Sequence, residues 1–165
     1  MQLIMAITNY LFSQKPGQYV SKTGNLLPVM GLLVIACRQP NALFTPLSSS
    51  HTGISFNNRL VEDEELNVLN YTYFYNGGGV AAADLNNDGL PDLVFTGNMV
   101  KNRLYLNKGN LKFEDITDQS GIAALQGWCT GVTLADVNAD GWLDIYICRS
   151  ADVEPERRKN LLYLN

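Results

Sequence analysis

The chain has 165 residues, a net charge of −4 and a pI near 4.9, with 46% hydrophobic and 17% charged residues. That length is room for roughly one domain, and the composition suits a buried core rather than a disordered tail. The acidic balance speaks against a phosphate-backbone ligand, since nucleic-acid binders present a basic face.

In chain order, residues 26–36 read LLPVMGLLVIA, apolar and uncharged. Eleven residues are too few to cross a bilayer, which takes about 20, so the stretch fits the hydrophobic region of a signal peptide. It runs into Val34-Ile35-Ala36-Cys37. This resembles the lipobox of bacterial lipoproteins, where the leader is cut before a Cys whose sulfur carries a diacylglycerol. The resemblance implies a signal peptide over 1–36 and a lipidated Cys37 as the first mature residue. The leader carries only Lys15 and Lys22 as positive charges ahead of that apolar run. Residues 38–50 are polar and contain Pro, and with Cys37 they predict a tether over 37–53. The result expected is an exported protein, lipid-anchored at the outer membrane or cell surface.

Residues 54–78 read as a lead-in, with Tyr71-Thr72-Tyr73-Phe74-Tyr75 supplying a strand that pairs ahead of the first blade. From residue 79 the chain repeats. Gly79-Val80 through Ala83-Asp84 aligns with Gly131-Val132 through Ala135-Asp136 at an offset of 52. The offset persists into Leu93-Val94-Phe95 against Ile145-Tyr146-Ile147. Farther on, Asn102-Arg103-Leu104-Tyr105-Leu106-Asn107 matches Asn160-Leu161-Leu162-Tyr163-Leu164-Asn165 at an offset of 58. The difference of six residues falls around Asp152-Val153-Glu154-Pro155-Glu156, a charged surface loop.

Each copy predicts short strands. In the first copy these are residues 80–83, 93–95 and 104–106, then an alternating stretch over 112–116, with a hairpin turn at 107–110. No helical periodicity stands out beyond one turn over 119–126. The expected fold is all-β, built of antiparallel four-stranded blades of a β-propeller and incomplete, with about two blades. The first blade spans 79–118. The second, over 119–165, stops after its third strand, so the rest of the ring is expected in a longer chain.

Six of the ten Asp residues lie in the loop between the first two strands of each copy. Counting from Asp84, positions 1, 3, 5 and 9 are Asp84, Asn86, Asp88 and Asp92; in the second copy they are Asp136, Asn138, Asp140 and Asp144. Gly89 and Gly141 at position 6 permit a sharp turn, and the carbonyls of Leu90 and Trp142 at position 7 add a further oxygen. Alternate oxygen-bearing side chains in a tight loop suit Ca2+, which takes six to eight hard oxygens in flexible geometry. Two structural Ca2+ sites are expected. An EF-hand is excluded, because position 12 is Phe95 or Ile147 inside an apolar strand, where that motif needs Glu between helices.

These loops, with Tyr75-Asn76-Gly77-Gly78-Gly79-Val80, Leu104-Tyr105-Leu106-Asn107 and Phe113-Glu114-Asp115, resemble the VCBS/FG-GAP repeats also found in integrin α-chain propellers. They are similar to the repeats heading secreted bacterial proteins with an ASPIC/UnbV domain farther on. The resemblance covers about residues 52–165 and implies a seven-bladed propeller, calcium in the blade loops and binding roles at the cell surface. No ASPIC/UnbV region is present in these residues.

Other features carry less chemistry. His51 follows Ser48-Ser49-Ser50 in the tether with no positioned acid, so no catalytic residue is expected. Asn76-Gly77-Gly78-Gly79 precedes a strand and lacks Lys, which marks a turn rather than a phosphate loop. Three cysteines and one histidine without a CxxC pair leave zinc short of ligands. Cys129 and Cys148 flank the second hairpin and are a candidate disulfide outside the cytoplasm, although approximate register does not set them opposite. Trp128 and Trp142 are read as packing between blades, or as platforms for sugars. Asn70-Tyr71-Thr72 is a glycosylation sequon by letter only. The function expected is a calcium-stabilised, surface-anchored binding or scaffold module without catalysis. Its partners are the membrane, an extracellular protein or glycan, and the remaining blades. The alternative is a non-catalytic support for a larger secreted enzyme or glycan-binding protein.

Overall fold

The computed structural model describes residues 42–124, 127–150 and 155–165. The expected signal peptide over residues 1–36 and Cys37 lie outside them. The chain divides into two units, Met1–Thr45 and Pro46–Asn165. Of the first, only residues 42–45 are described, and they are exposed. Among the described residues no helix is long and apolar enough to cross a membrane.

The second unit is all-β. It opens with a one-turn helix, α1 (Ser49–Thr52), whose N-terminus is capped by the Ser48 hydroxyl accepting from the His51 amide. Sheet one is a meander of β1 (Val80–Ala83), β2 (Asp92–Phe95), β3 (Arg103–Asn107) and β4 (Phe113–Asp115). A single turn, α2 (Thr117–Ser120), leads out. Sheet two holds β5 (Trp128–Ala135), β6 (Asp144–Ser150) and β7 (Leu161–Tyr163). One turn, α3 (Pro155–Arg158), lies in the six-residue excess between β6 and β7.

The repeat holds at the level of register. Ala83 pairs with Asp92 in sheet one, and Ala135 with Asp144 in sheet two. The helical turn falls a little earlier than residues 119–126.

Stacking of the two sheets follows from strand alternation. Val94 pairs with Leu104 across one face of sheet one; Ile147 pairs with Leu161 across one face of sheet two. These two faces meet, and with Leu85, Ile122, Cys129 and Ile145 they form the main core. The opposite face of sheet one carries Phe95 and Tyr105, and the lead-in covers it by stacking Phe56 on Phe95 at 5.0 Å. The opposite face of sheet two carries Tyr146 and Leu162, which are exposed. Each sheet thus offers its odd face backward along the chain and its even face forward, as successive propeller blades do.

Two expectations need correction. The lead-in contains no strand. Residues 64–76 run through bends and turns, with Phe74 N donating to Tyr71 O and Asn76 N to Tyr73 O. The aromatic run is spent on a second small core, where Phe74 and Tyr71 pack on buried Trp128 with ring centroids 5.3 and 5.4 Å apart. Secondly, Cys129 and Cys148 are free thiols. Cys129 pairs with Arg149 just before a bulge, so it shares Arg149's face of the sheet, whereas Cys148 is one residue away on the other face. Burial pushes the Cys129 thiol up from its ordinary range.

Candidate functional site

The two acidic loops sit at the same end of the sheets, each connecting the first strand to the second. Their local structure is set by carboxylates bonding the loop's own amides. Asp84 Oδ1 accepts from Asp88 N at 3.0 Å and its Oδ2 from Gly89 N at 2.7 Å. Asp136 does the same with Asp140 N at 3.1 Å and Gly141 N at 2.9 Å. Asn86 Oδ1 accepts from Asp88 N, and Asn138 Oδ1 from Asp140 N, both at 3.2 Å. Asp88 Oδ1 accepts from Leu90 N and Asp140 Oδ1 from Trp142 N, both at 2.9 Å. These are nested Asx-turns, which curl the backbone around positions 1, 3 and 5. The curl requires left-handed backbone at position 6, where Gly89 has φ 86° and Gly141 φ 90°.

Position 9 behaves differently. Asp92 and Asp144 are fully buried, and each spends both oxygens on backbone amides. Asp92 Oδ2 accepts from Leu85 N at 2.9 Å and Oδ1 from Asn107 N at 2.8 Å. Asp144 Oδ2 accepts from Val137 N and Oδ1 from Asn165 N, both at 2.9 Å. The fourth acid therefore ties the start of its loop to the end of the third strand. Among the described residues, no three His, Cys, Asp or Glu side chains converge on one point as a cage. The groups gathered at each rim are two carboxylates and one amide: Asp84, Asn86 and Asp88, and Asp136, Asn138 and Asp140.

That donor set fits a hard cation. Asp88 Oδ2 accepts from Asn86 Nδ2 at 2.9 Å, and Asp140 Oδ2 from Asn138 Nδ2 at 2.7 Å. Amide dipoles make the direct contacts with these carboxylates. Among the described residues, the ion pairs Arg103–Asp115, Lys108–Glu114 and Lys159–Glu156 all lie outside the loops. Lys108 is held above its ordinary range by Glu114 first, with weaker contributions from Asp88 and Asp92. Leu90 and Trp142, whose carbonyls are the position-7 candidates, have exposed side chains at the loop tips.

The sequence alone does not reveal one pair of residues that hold the position-9 acids. Asn107 and Asn165 end the matched Leu-Tyr-Leu-Asn segments, and each bonds its own blade's position-9 Asp. Their signal is a shared place at the offset of 58, but nothing in the spacing shows what they touch.

His51 is exposed in α1 with its amide capped by Ser48, and Asn76-Gly77-Gly78-Gly79 leads directly into β1. Trp128 is buried, whereas Trp142 is 41% exposed at the tip of the second loop.

A segment of 81 residues is 35% identical to cartilage acidic protein 1 of Xenopus tropicalis; it is 49% of this chain but 12% of that protein's length. Residues 84–147, from the first acid of the first loop to the middle of β6, match the FG-GAP-like repeat family. The stretch similar to FG-GAP-like repeats thus holds both acidic loops, and it lies within the antiparallel sheets of a propeller-like all-β unit.

Proposed function

We propose that this chain is a calcium-stabilised binding or scaffold module that performs no catalysis itself and is held at the cell surface by a lipid on Cys37. The observation that carries the calcium reading is the duplication of the acidic loops bond for bond. Asp84, Asn86, Asp88 and the Leu90 carbonyl would hold one ion; Asp136, Asn138, Asp140 and the Trp142 carbonyl the other. Asp92 and Asp144 use one lone pair per oxygen on an amide, and the second lone pair leaves each able to support its ion. Ca2+ supplies charge neutralisation, which lets close carboxylates coexist and makes ion binding part of folding stability.

The surface that a protein or glycan partner would meet includes the exposed Trp142 ring. Likeness to a short part of cartilage acidic protein 1, a protein named for cartilage, supports a role outside the cell. A larger assembly, with further blades or domains contributed by a longer chain, accords with the small share of that relative's length.

The test is thermal unfolding with calcium and with excess chelator. Stripping the ion is expected to lower Tm by several degrees, since ligand at about 100 times Kd adds about 2.7 kcal/mol. Asp88→Ala is expected to reduce the calcium stoichiometry from two ions to one. A melt that chelator leaves unchanged would overturn the reading.

A further inference from the structure

The two loops are joined through Asn165. Its side-chain amide donates to Leu85 O, in the first loop, at 2.7 Å, and to Leu143 O, in the second, at 3.3 Å. Its backbone N–H donates to Asp144 Oδ1 at 2.9 Å. One residue thus grips both loops. The place it grips in the first is specific: Leu85 stands between Asp84 and Asn86, the residues at positions 1 and 3, and its own N–H is held by Asp92. A second, longer contact runs from Asn87 Nδ2 to Gly141 O at 3.5 Å, beside the Gly141 amide that bonds Asp136. Asn107 occupies the matching place in the first repeat, and its side chain donates to Pro91 O of its own loop at 2.9 Å.

We infer that Asn165 is a positioning residue that couples the two acidic loops, so that a cation bound in one raises the affinity of the other. The inference rests on the calcium reading. An ion in the second loop would fix Asp144, and through the Asn165 backbone it would fix the amide that holds Leu85. The first loop would then lose less conformational freedom on binding its own ion. Coupling of this kind needs no change of shape, only ordering contributed once and used twice. It must also be reciprocal: each site strengthens the other by the same factor.

Isothermal titration of the chain with Ca2+, and parallel titration with Tb3+ followed by luminescence, tests this. In the wild type, the second ion is expected to bind about 5–20-fold more tightly than independent sites would allow, within the usual range of coupling factors. Asp88→Ala should weaken the remaining second-loop site by that factor, and Asp140→Ala should weaken the first-loop site equally. Asn165→Ala should abolish the coupling while leaving two ions bound. Asn87→Gly, which preserves the left-handed backbone, should reduce it only in part. The single-loop variants keep the inference testable if Asn165→Ala fails to fold. Two ions bound independently in the wild type would overturn the coupling and leave the calcium reading intact. Coupling that survives Asn165→Ala in a folded protein would also overturn it. Failure to bind either ion would sink the calcium reading and the coupling together.

Discussion

Residues 84–92 and 136–144 share the same set of side-chain-to-backbone hydrogen bonds, yet they rest on different ground. Position 2 is Leu85 in the first loop, 6% exposed in the core, and Val137 in the second, 55% exposed. The glycine opening each blade shows the same contrast. A Cβ on Gly79 would lie 2.8 Å from Thr130 O and 3.0 Å from Val132 N, whereas on Gly131 it would meet only Cys148, at 3.9 Å. The difference teaches where the two kinds of information reside. Local hydrogen bonding makes the loop wherever the motif occurs. Burial and close approach come from whichever sheet stacks on the forward face, and sheet one has sheet two there.

The contrast is best broken at its core. Leu85→Ala should destabilise by about 3 kcal/mol, the middle of the range for a buried Leu, while Val137→Ala should stay within about 0.5 kcal/mol. Urea unfolding of both variants decides it. Equal losses would mean that position 2 serves the loop and not the stacking. The glycine pair comes next in size. Gly79→Ala forces backbone to move at the junction of β1 and β5 and should cost about 2 kcal/mol; Gly131→Ala should cost well under about 1 kcal/mol. The same unfolding experiment measures both, and a costly Gly131→Ala would show that its surroundings are as tight as those of Gly79.

Much of this fold is legible in the residues. The offset of 52, the strands of the first blade and the hairpin near Gly109 follow from alternation and turn chemistry, and they recur in the structure within a residue or two. The lead-in is not legible in the same way, because aromatic residues favour strands only where a neighbouring strand and face are available. There the side chains of Asp63 and Asn67 bond nearby amides, at Leu66 and Leu69, and fold the segment into turns. The position-9 acids look like rim ligands from their spacing. Spacing does not show that these carboxylates also accept from backbone amides, which depends on Asn107 and Asn165 arriving from a distant strand. The disulfide is undecidable from sequence for a similar reason, since a bulge at residues 130–131 changes the register that matters.

The smallest effect expected lies at position 4, where the loops differ in sequence but not in shape. Asn87 and Ala139 both adopt left-handed backbone, at φ 57° and φ 60°. Asn tolerates that region because its short polar side chain bonds locally, whereas the Ala Cβ crowds a backbone oxygen at a cost of about 1 kcal/mol. The second loop therefore carries strain that the first does not. Ala139→Gly should relieve it and stabilise the chain by about 0.5 kcal/mol, the relief being partly offset by the greater freedom of Gly in the unfolded state. Asn87→Gly should be slightly destabilising, both for that last reason and because it removes the long Asn87 Nδ2 contact to Gly141 O. If both substitutions shift Tm in the same direction by similar amounts, the two loops are equally strained and the difference in residue type is without consequence. If only Ala139→Gly stabilises, and its gain shrinks once calcium is bound, then the ion itself is holding the second loop in its strained form.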